Sequence, residues 1–395
     1  MREGWKEKTI GEVCDVVNGG TPKTGVSGYW GGSYQWITPA EMGKRVTPYI
    51  QQTERTITSE GLRNSSARLL PPHSVILSSR APIGYLVINT APMATNQGCK
   101  GLVPNKEIDH KFLFYYLESI VKLLNELGSG ATFKELSSGK LKEIPIPIAP
   151  LPEQRRIVAI LDKAFEGIAT AKANIEKNLQ NAREIFESHL NAVFSQRGEG
   201  WVDRRLGDVA MEFGRGKSKH RPRNDPKLYG GSFPFIQTGD VRNSSHLITS
   251  YDQTYNDAGL AQSKLWPKGT LCITIAANIA ETGILDFDAC FPDSIIGLVA
   301  NEKISTNKYI EYLLTSFKSR LQLLGKGSAQ DNINLATFES QYFPFPPLSS
   351  QKEIVSIFDD LHEETQHLES IYQQKLAALD ELKQSLLHQA FNGDL

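Results

Sequence analysis

Residues 150–194 read PLPEQRRIVAILDKAFEGIATAKANIEKNLQNAREIFESHLNAVF. Pro150 and Pro152 end an extended run, IPIPIAPLP, and Glu153 and Gln154 open a helix with an acidic residue at its positive end. Apolar side chains recur at Ile157, Leu161, Ala164, Ile168, Ala171, Ile175, Leu179, Ala182, Ile185 or Phe186, and Val193. The gaps mostly alternate four and three, the pattern of a coiled-coil seam and not of a broad globular face. At about 1.5 Å per residue the helix runs roughly 60 Å. A single narrow stripe of that length must be buried against a partner helix.

Residues 347–391, PLSSQKEIVSIFDDLHEETQHLESIYQQKLAALDELKQSLLHQAF, supply the partner. Their seam is Ile354, Phe358, Leu361, Thr365, Leu368, Tyr372, Lys375, Leu379, Leu382 and Leu386. One shift of 197 positions lays Pro150 on Pro347, Gln154 on Gln351, Asp162 on Asp359 and Phe194 on Phe391. Cap, seam and end coincide, so the helices are two copies of one unit.

The repeat extends beyond the helices. Trp5 followed by Ile10–Val13 returns as Trp201 followed by Leu206–Val209, and GGSYQWITPAEM (31–42) returns as GGSFPFIQTGDV (230–241). SVILS (74–78) returns as TLCIT (270–274), Gly101-Leu102-Val103 as Gly297-Leu298-Val299, and the short helix 112–119 as a short helix over 309–316. The apolar runs between the repeats' Gly, Pro and Asn residues are short and strand-like. The expected fold is therefore α+β. Two similar β-rich mixed globular domains are joined by two long antiparallel helices that form an intramolecular coiled coil, a pseudo-two-fold repeat of about 197 residues. The expected boundaries are 1–149 for the first domain, 150–197 for the first long helix, 198–346 for the second domain and 347–395 for the second long helix. If a two-fold relates the halves, Leu395 must return close to Met1. Two heads kept apart by a stiff rod suit a target with its own dyad and spacing, and duplex DNA is the obvious one.

Composition narrows the class. Hydrophobic residues make up 40% and charged residues 22%, as in ordinary globular proteins. No apolar run is long enough to span a bilayer, so no membrane partner is expected. Cys14, Cys99, Cys272 and Cys290 stand far apart with no metal spacing, which points to buried thiols and the cytoplasm. The net charge of −1 argues against an indiscriminate nucleic-acid binder but not against a specific one, because charge can be segregated.

Catalytic patterns are absent. Gly216-Lys217-Ser218 lacks the first glycine of a phosphate loop, which is Met211 here. His362 and His367 are five apart and do not share a helix face, so a solvated helix surface is the better reading and no metal is expected. Nothing resembles a nucleophile elbow.

The strongest local signal is RGKSKHRPRNDPK (215–227), which puts Arg215, Lys217, Lys219, Arg221 and Arg223 in one Gly- and Pro-bearing loop. Such loops neutralise phosphate, and arginine reads guanine; a solvated basic loop is the plain alternative. The equivalent stretch NGGTPKTGVSG (18–28) offers Thr21, Lys23 and Thr24. Arg80 ends a strand and corresponds to the region of Asn278; Asn96 and Gln97 align with Asp293 and Ser294. Amides suit adenine, though turn formation is an even alternative. The loops before the long helices add Thr132, Lys134, Gln330 and Asn332. Trp36 and Phe235 align as strand residues and read as core.

Several runs, ATFKELSSGKLKEIPIPIAPLPEQRRIVAILD, SAQDNINLATFESQYFPFPPLSSQKEIVSIFDDL, SSRAPIGYLVI, ATNQG, ITIAANIAETGIL and PDSIIGL, resemble specificity subunits of type I restriction–modification enzymes. The likeness spans essentially the whole chain, departing where PLSSQKE replaces PLPEQ. It implies a non-catalytic DNA-recognition subunit in which each domain reads half of a bipartite site in double-stranded DNA. It implies that the helix pair sets the gap and docks two adenine-methylation subunits and, in the full complex, two restriction subunits. It further implies that this chain holds no cofactor, S-adenosylmethionine being bound by the methylation subunits. The rival readings are a coiled-coil adaptor whose heads bind a ligand other than DNA and, ranked last, a hydrolase with an unrecognised site.

Overall fold

The computed structural model describes residues 4–80, 82–130, 134–276, 279–325, 333 and 335–395. The chain forms two compact units, one comprising the residues up to Ile175 with Gln373–Leu395 and the other Glu176–Tyr372. Each holds one globular domain and half of each long helix.

The first unit has a five-stranded sheet in the order Cys14–Asn18, Cys99–Pro104, Val75–Ser79, Ile83–Asn89, Tyr49–Ile50. A three-stranded sheet, Thr56–Ile57, Trp30–Ile37, Met93–Thr95, accompanies it. The second unit repeats the five-stranded order with Ala210–Arg215, Ile295–Ala300, Leu271–Thr274, Thr282–Leu285 and Leu247–Ile248. Both sheets end on a short parallel edge strand, Tyr49 pairing with Ile88 and Leu247 with Ile284. The central strands carry consecutive buried apolar residues, Val75, Ile76 and Leu77 in one and Leu271, Cys272 and Ile273 in the other, because both faces are covered. Val75 and Leu77 face a core with Phe112 and Leu113, and Ile76 faces another with Ile37 and Met93. Leu271 and Ile273 likewise face Tyr309 and Leu313, while Cys272 faces Trp266 and Phe291. Trp36 and Phe235 are core residues, and all four cysteines are buried free thiols.

One helix differs between the halves. His110–Ser119 stops at Ile120 before Val121–Leu127 begins, whereas its counterpart runs unbroken over Asn307–Gly325 and is not the short element expected. Phe317, which stands where Ile120 does, packs edge-on against Phe343 at 5.5 Å within that continuous helix.

The long helices are Leu151–Ser195 and Leu348–Asn392, 45 residues each. In the first unit Arg156 donates to the Leu395 carbonyl at 2.6 Å and Lys172 pairs with Asp380. In the second, Arg183 pairs with Glu369 at 2.7 Å and Phe194 stacks on Phe358 at 6.1 Å. Residue numbers rise along one helix as they fall along the other, so the pairing is antiparallel in both units. Ile157 and Leu161 are buried with Leu387 and Ala390, Phe358 is buried with Leu190 and Phe194, and Ile168 is buried as well. Ala164, Ile175, Leu179, Ile354, Leu361, Leu379 and Leu386 are half-buried.

The expected seam needs correcting at Leu368 and Leu382, which are 38% and 46% exposed, while Leu387 in place of Leu386 is fully buried. A straight helix drifts about 20° per heptad against a 3.5-residue repeat. From Phe358 to Leu386 that drift amounts to most of one residue's rotation, so the buried stripe moves to the next position. On the first helix Phe186 rather than Ile185 meets the partner, packing on Phe358 at 6.3 Å. His362 is also not on a solvated surface: its ring lies 4.2 Å from that of His246, because this flank of the helix faces the second domain. The expected approach of Leu395 to Met1 lies outside the described residues, but Leu395 packs on the core that holds Trp5.

Candidate nucleic-acid interface

In each unit the loop after the first strand of the five-stranded sheet presses against the turn that enters the second. Gly19 and Gly216, 197 positions apart, make the contact. A Cβ on Gly19 would strike the Asn96 carbonyl, and one on Gly216 the carbonyls of Phe291 and Pro292. Only glycine permits so close a backbone approach. The Gly20 amide donates to Thr95 O at 2.8 Å and the Gly216 amide to Ile295 O at 2.9 Å. Thr21, Asn96 and Gln97 of the first half and Arg215 and Arg223 of the second are thereby gathered at the same place in the fold.

In the first unit Asn96 Nδ2 donates to Thr21 Oγ1 at 3.2 Å, and the Thr21 hydroxyl donates to Gln97 Oε1. Trp36 Nε1 donates to Gly20 O at 2.9 Å and so ties the loop to the core. Arg80 lies beside this turn, with Glu135 at 3.9 Å. Lys100 approaches the same carboxylate at 3.7 Å and is only 6% exposed. Lys23, Thr24 and Lys134 are exposed. The site is a polar patch with two cations sharing one anion.

In the second unit Arg215 Nε donates to Asp293 O at 2.6 Å and Arg223 pairs with the Asp293 carboxylate at 2.6 Å. Arg221 donates to the carbonyls of Ser218 and His220 at 2.6 and 2.8 Å. His220 bonds Asp225, whose carboxyl is held below its ordinary range first by the Lys227 amide and then by His220. Lys217 and Lys219 are exposed, and Ser294 is half-buried in the facing turn. The loop is thus tied to the facing turn by Arg215 and Arg223 and folded onto itself by Arg221 and His220, with its cations on the surface. Thr132, Asn278, Gln330 and Asn332 lie outside the described residues.

Sequence reasoning missed Lys100, although a lysine interrupting the strand CKGLVP was a usable signal. It noted Gln154 and Gln351 without a role. Both are buried and fully hydrogen-bonded to their own domain. Among the described residues no group of three or more His, Cys, Asp or Glu side chains is arranged for a metal ion, and no helix is long and apolar enough to cross a membrane.

Such a doubled domain, with one polar and basic loop-and-turn site in each copy, defines a two-headed recognition protein. Residues 2–181 and 198–377 each match the family model for the type I restriction modification DNA specificity domain, and the chain belongs to the type I restriction–modification specificity subunits. It is 26% identical to the type I restriction enzyme MjaIX specificity subunit of Methanocaldococcus jannaschii, over 99% of this chain and 93% of that one. It is 24% identical to the EcoKI specificity subunit of Escherichia coli, over 100% of this chain and 90% of the relative. A solved chain from work on complex assembly and conformational transition of the type I R-M system superposes with a TM-score of 0.82 at 20% identity, covering 100% of this chain and 99% of that one. The HsdS subunit from Thermoanaerobacter tengcongensis gives 0.61 at 19% identity, covering 100% and 98%. The function of the chain is DNA sequence recognition through two target-recognition domains.

Proposed function

We propose that the chain is the non-catalytic reader of a cytoplasmic type I restriction–modification complex, with recognition domains 1–149 and 198–346 and spacer helices 150–197 and 347–395. The observation that carries this is the equivalence of the two loop-and-turn sites around Gly19 and Gly216. One half-site is read at each. Their unlike chemistry, amides and a hydroxyl in one and arginines in the other, implies two different half-sites. The methyl donor, S-adenosylmethionine, and the adenine chemistry belong to two methylation subunits, and cleavage to two restriction subunits. Ile160 and Ile357, both tenth in their helices, are 36% and 52% exposed, which supports docking of a partner at equivalent places.

The test is sequencing of methylated sites in DNA from cells carrying the intact system. A bipartite motif with two unlike halves and a fixed gap is expected, and a continuous single motif would overturn the reading. For the purified complex, log affinity should fall steeply with log salt, as it does when several phosphates are contacted. A flat line would favour an adaptor with a different ligand.

A further inference from the structure

We propose that Gln154 with Asp162, and Gln351 with Asp359, are paired bolts that set the angle at which each recognition domain stands on its helix, and so determine which gap length is accepted. The inference rests on the reading above and adds to it the residues that turn helix length into gap selectivity.

Gln154 is fully buried. Its Nε2 donates to Glu107 O at 2.9 Å and Ala149 O at 2.8 Å, and its Oε1 accepts from the Asp109 amide at 2.8 Å. Gln351 Nε2 donates to Ile304 O and Pro346 O, both at 2.9 Å, and its Oε1 accepts from Ser305 Oγ at 2.8 Å. Each amide is therefore saturated by groups of the domain and of the chain entering the helix. Eight residues further along, Asp162 takes Lys111 at 2.5 Å and the Tyr115 hydroxyl. Asp359 takes Lys308 at 2.6 Å and Tyr312 at 2.9 Å.

An apolar residue at 154 or 351 would bury as well and leave no amide to satisfy. Apolar packing, however, is non-directional and lets surfaces slide. A fully satisfied buried network selects one arrangement. The two bolts lie about 12 Å apart along the helix at about 1.5 Å per residue. Freeing one gives a play of about 1 Å, which over that lever is roughly 5° and becomes about 3 Å some 35 Å along the helix. That is close to one base-pair rise of about 3.4 Å.

The experiment uses the chain assembled with its methylation subunits and a plasmid library that keeps both half-sites and varies the gap by one or two base pairs. Gln154→Leu and Gln351→Leu should raise methylation at the neighbouring gaps, relative to the native gap, by about tenfold, the scale of one recognition contact. Base preference within both half-sites should stay as in the wild type. Asp162→Asn and Asp359→Asn, which keep shape and a hydrogen bond, should relax the gap less, and they decide the matter if the leucine variants do not fold. A gap ratio unchanged in every variant that methylates would overturn the proposal, and so would loss of base preference with the gap ratio intact. Failure of the underlying reading looks different: the wild-type complex itself would show no preferred gap.

Discussion

His362 shows how a single residue can mislead a linear reading. Spacing along one helix placed it on a wet surface, but its ring packs on His246 and on Phe186 at 5.6 Å. Nothing in a heptad pattern reveals what the neighbouring domain brings. Burial first, and the charge of His246 second, push His362 down to about 4 from an ordinary value of 6.5. The folded chain thus holds the ring neutral where the unfolded chain would protonate it. Stability is present above about pH 6.5 and is lost as pH falls toward 4. For a half-exposed ring the effect is on the order of 1 kcal/mol after solvent screening. Glu311 works in the opposite sense, since burial raises its carboxyl and favours the protonated form. The first half carries Phe165 at the position equivalent to His362. His362→Phe should therefore fold and should lose less melting temperature than the wild type between pH 7 and pH 5. Parallel melting curves for the two chains would contradict this. Gln154 and Gln351 were equally opaque, because two of the three partners of each are backbone or hydroxyl groups 45–47 residues back in the chain, which alignment of two copies does not identify.

At the scale of elements, the long helices and central strands were legible because their patterns are repeated and their burial follows directly from period. The drift of the seam to Leu387 was not, since it depends on how far the pair departs from an ideal 3.5-residue repeat. The helices also answer two questions by mutation. A charge at Ile357 leaves the folded chain's buried seam untouched, so Ile357→Glu should keep its melting temperature within a degree or two, yet weaken co-purification with the methylation subunits. Retained assembly would remove this position from the docking surface. Inserting four residues into each helix adds roughly 6 Å of axis, about two base-pair rises at about 3.4 Å. The expected result is a longer gap between unchanged half-sites, read by sequencing methylated sites; changed half-sites would exclude a spacing role for the helices.

For the molecule as a whole, duplication followed by divergence separates what the halves share from what each reads. Sheet order, the glycine contact and the long helices are held in common. The loops at the glycine contact are not, and that is why the candidate residues could be collected from sequence but their partners could not. The sequence puts Arg223 in a basic loop without naming a partner; in the structure it is paired with Asp293 across the turn and keeps 47% of its side chain exposed. An exposed pair of this kind is worth little to stability, a fraction of about 1 kcal/mol, so the arginine is available to a phosphate or base at small cost. Arg223→Ala and Lys219→Ala should then act on one half-site only. Loss of a phosphate contact lowers affinity for all sequences and reduces the salt slope by about 0.9. Loss of a base contact relaxes one position of one half-site by about 1–3 kcal/mol. Binding measured against duplexes mutated in either half, at several salt concentrations, distinguishes the two. Equal damage at both half-sites would mean that the units do not read independently.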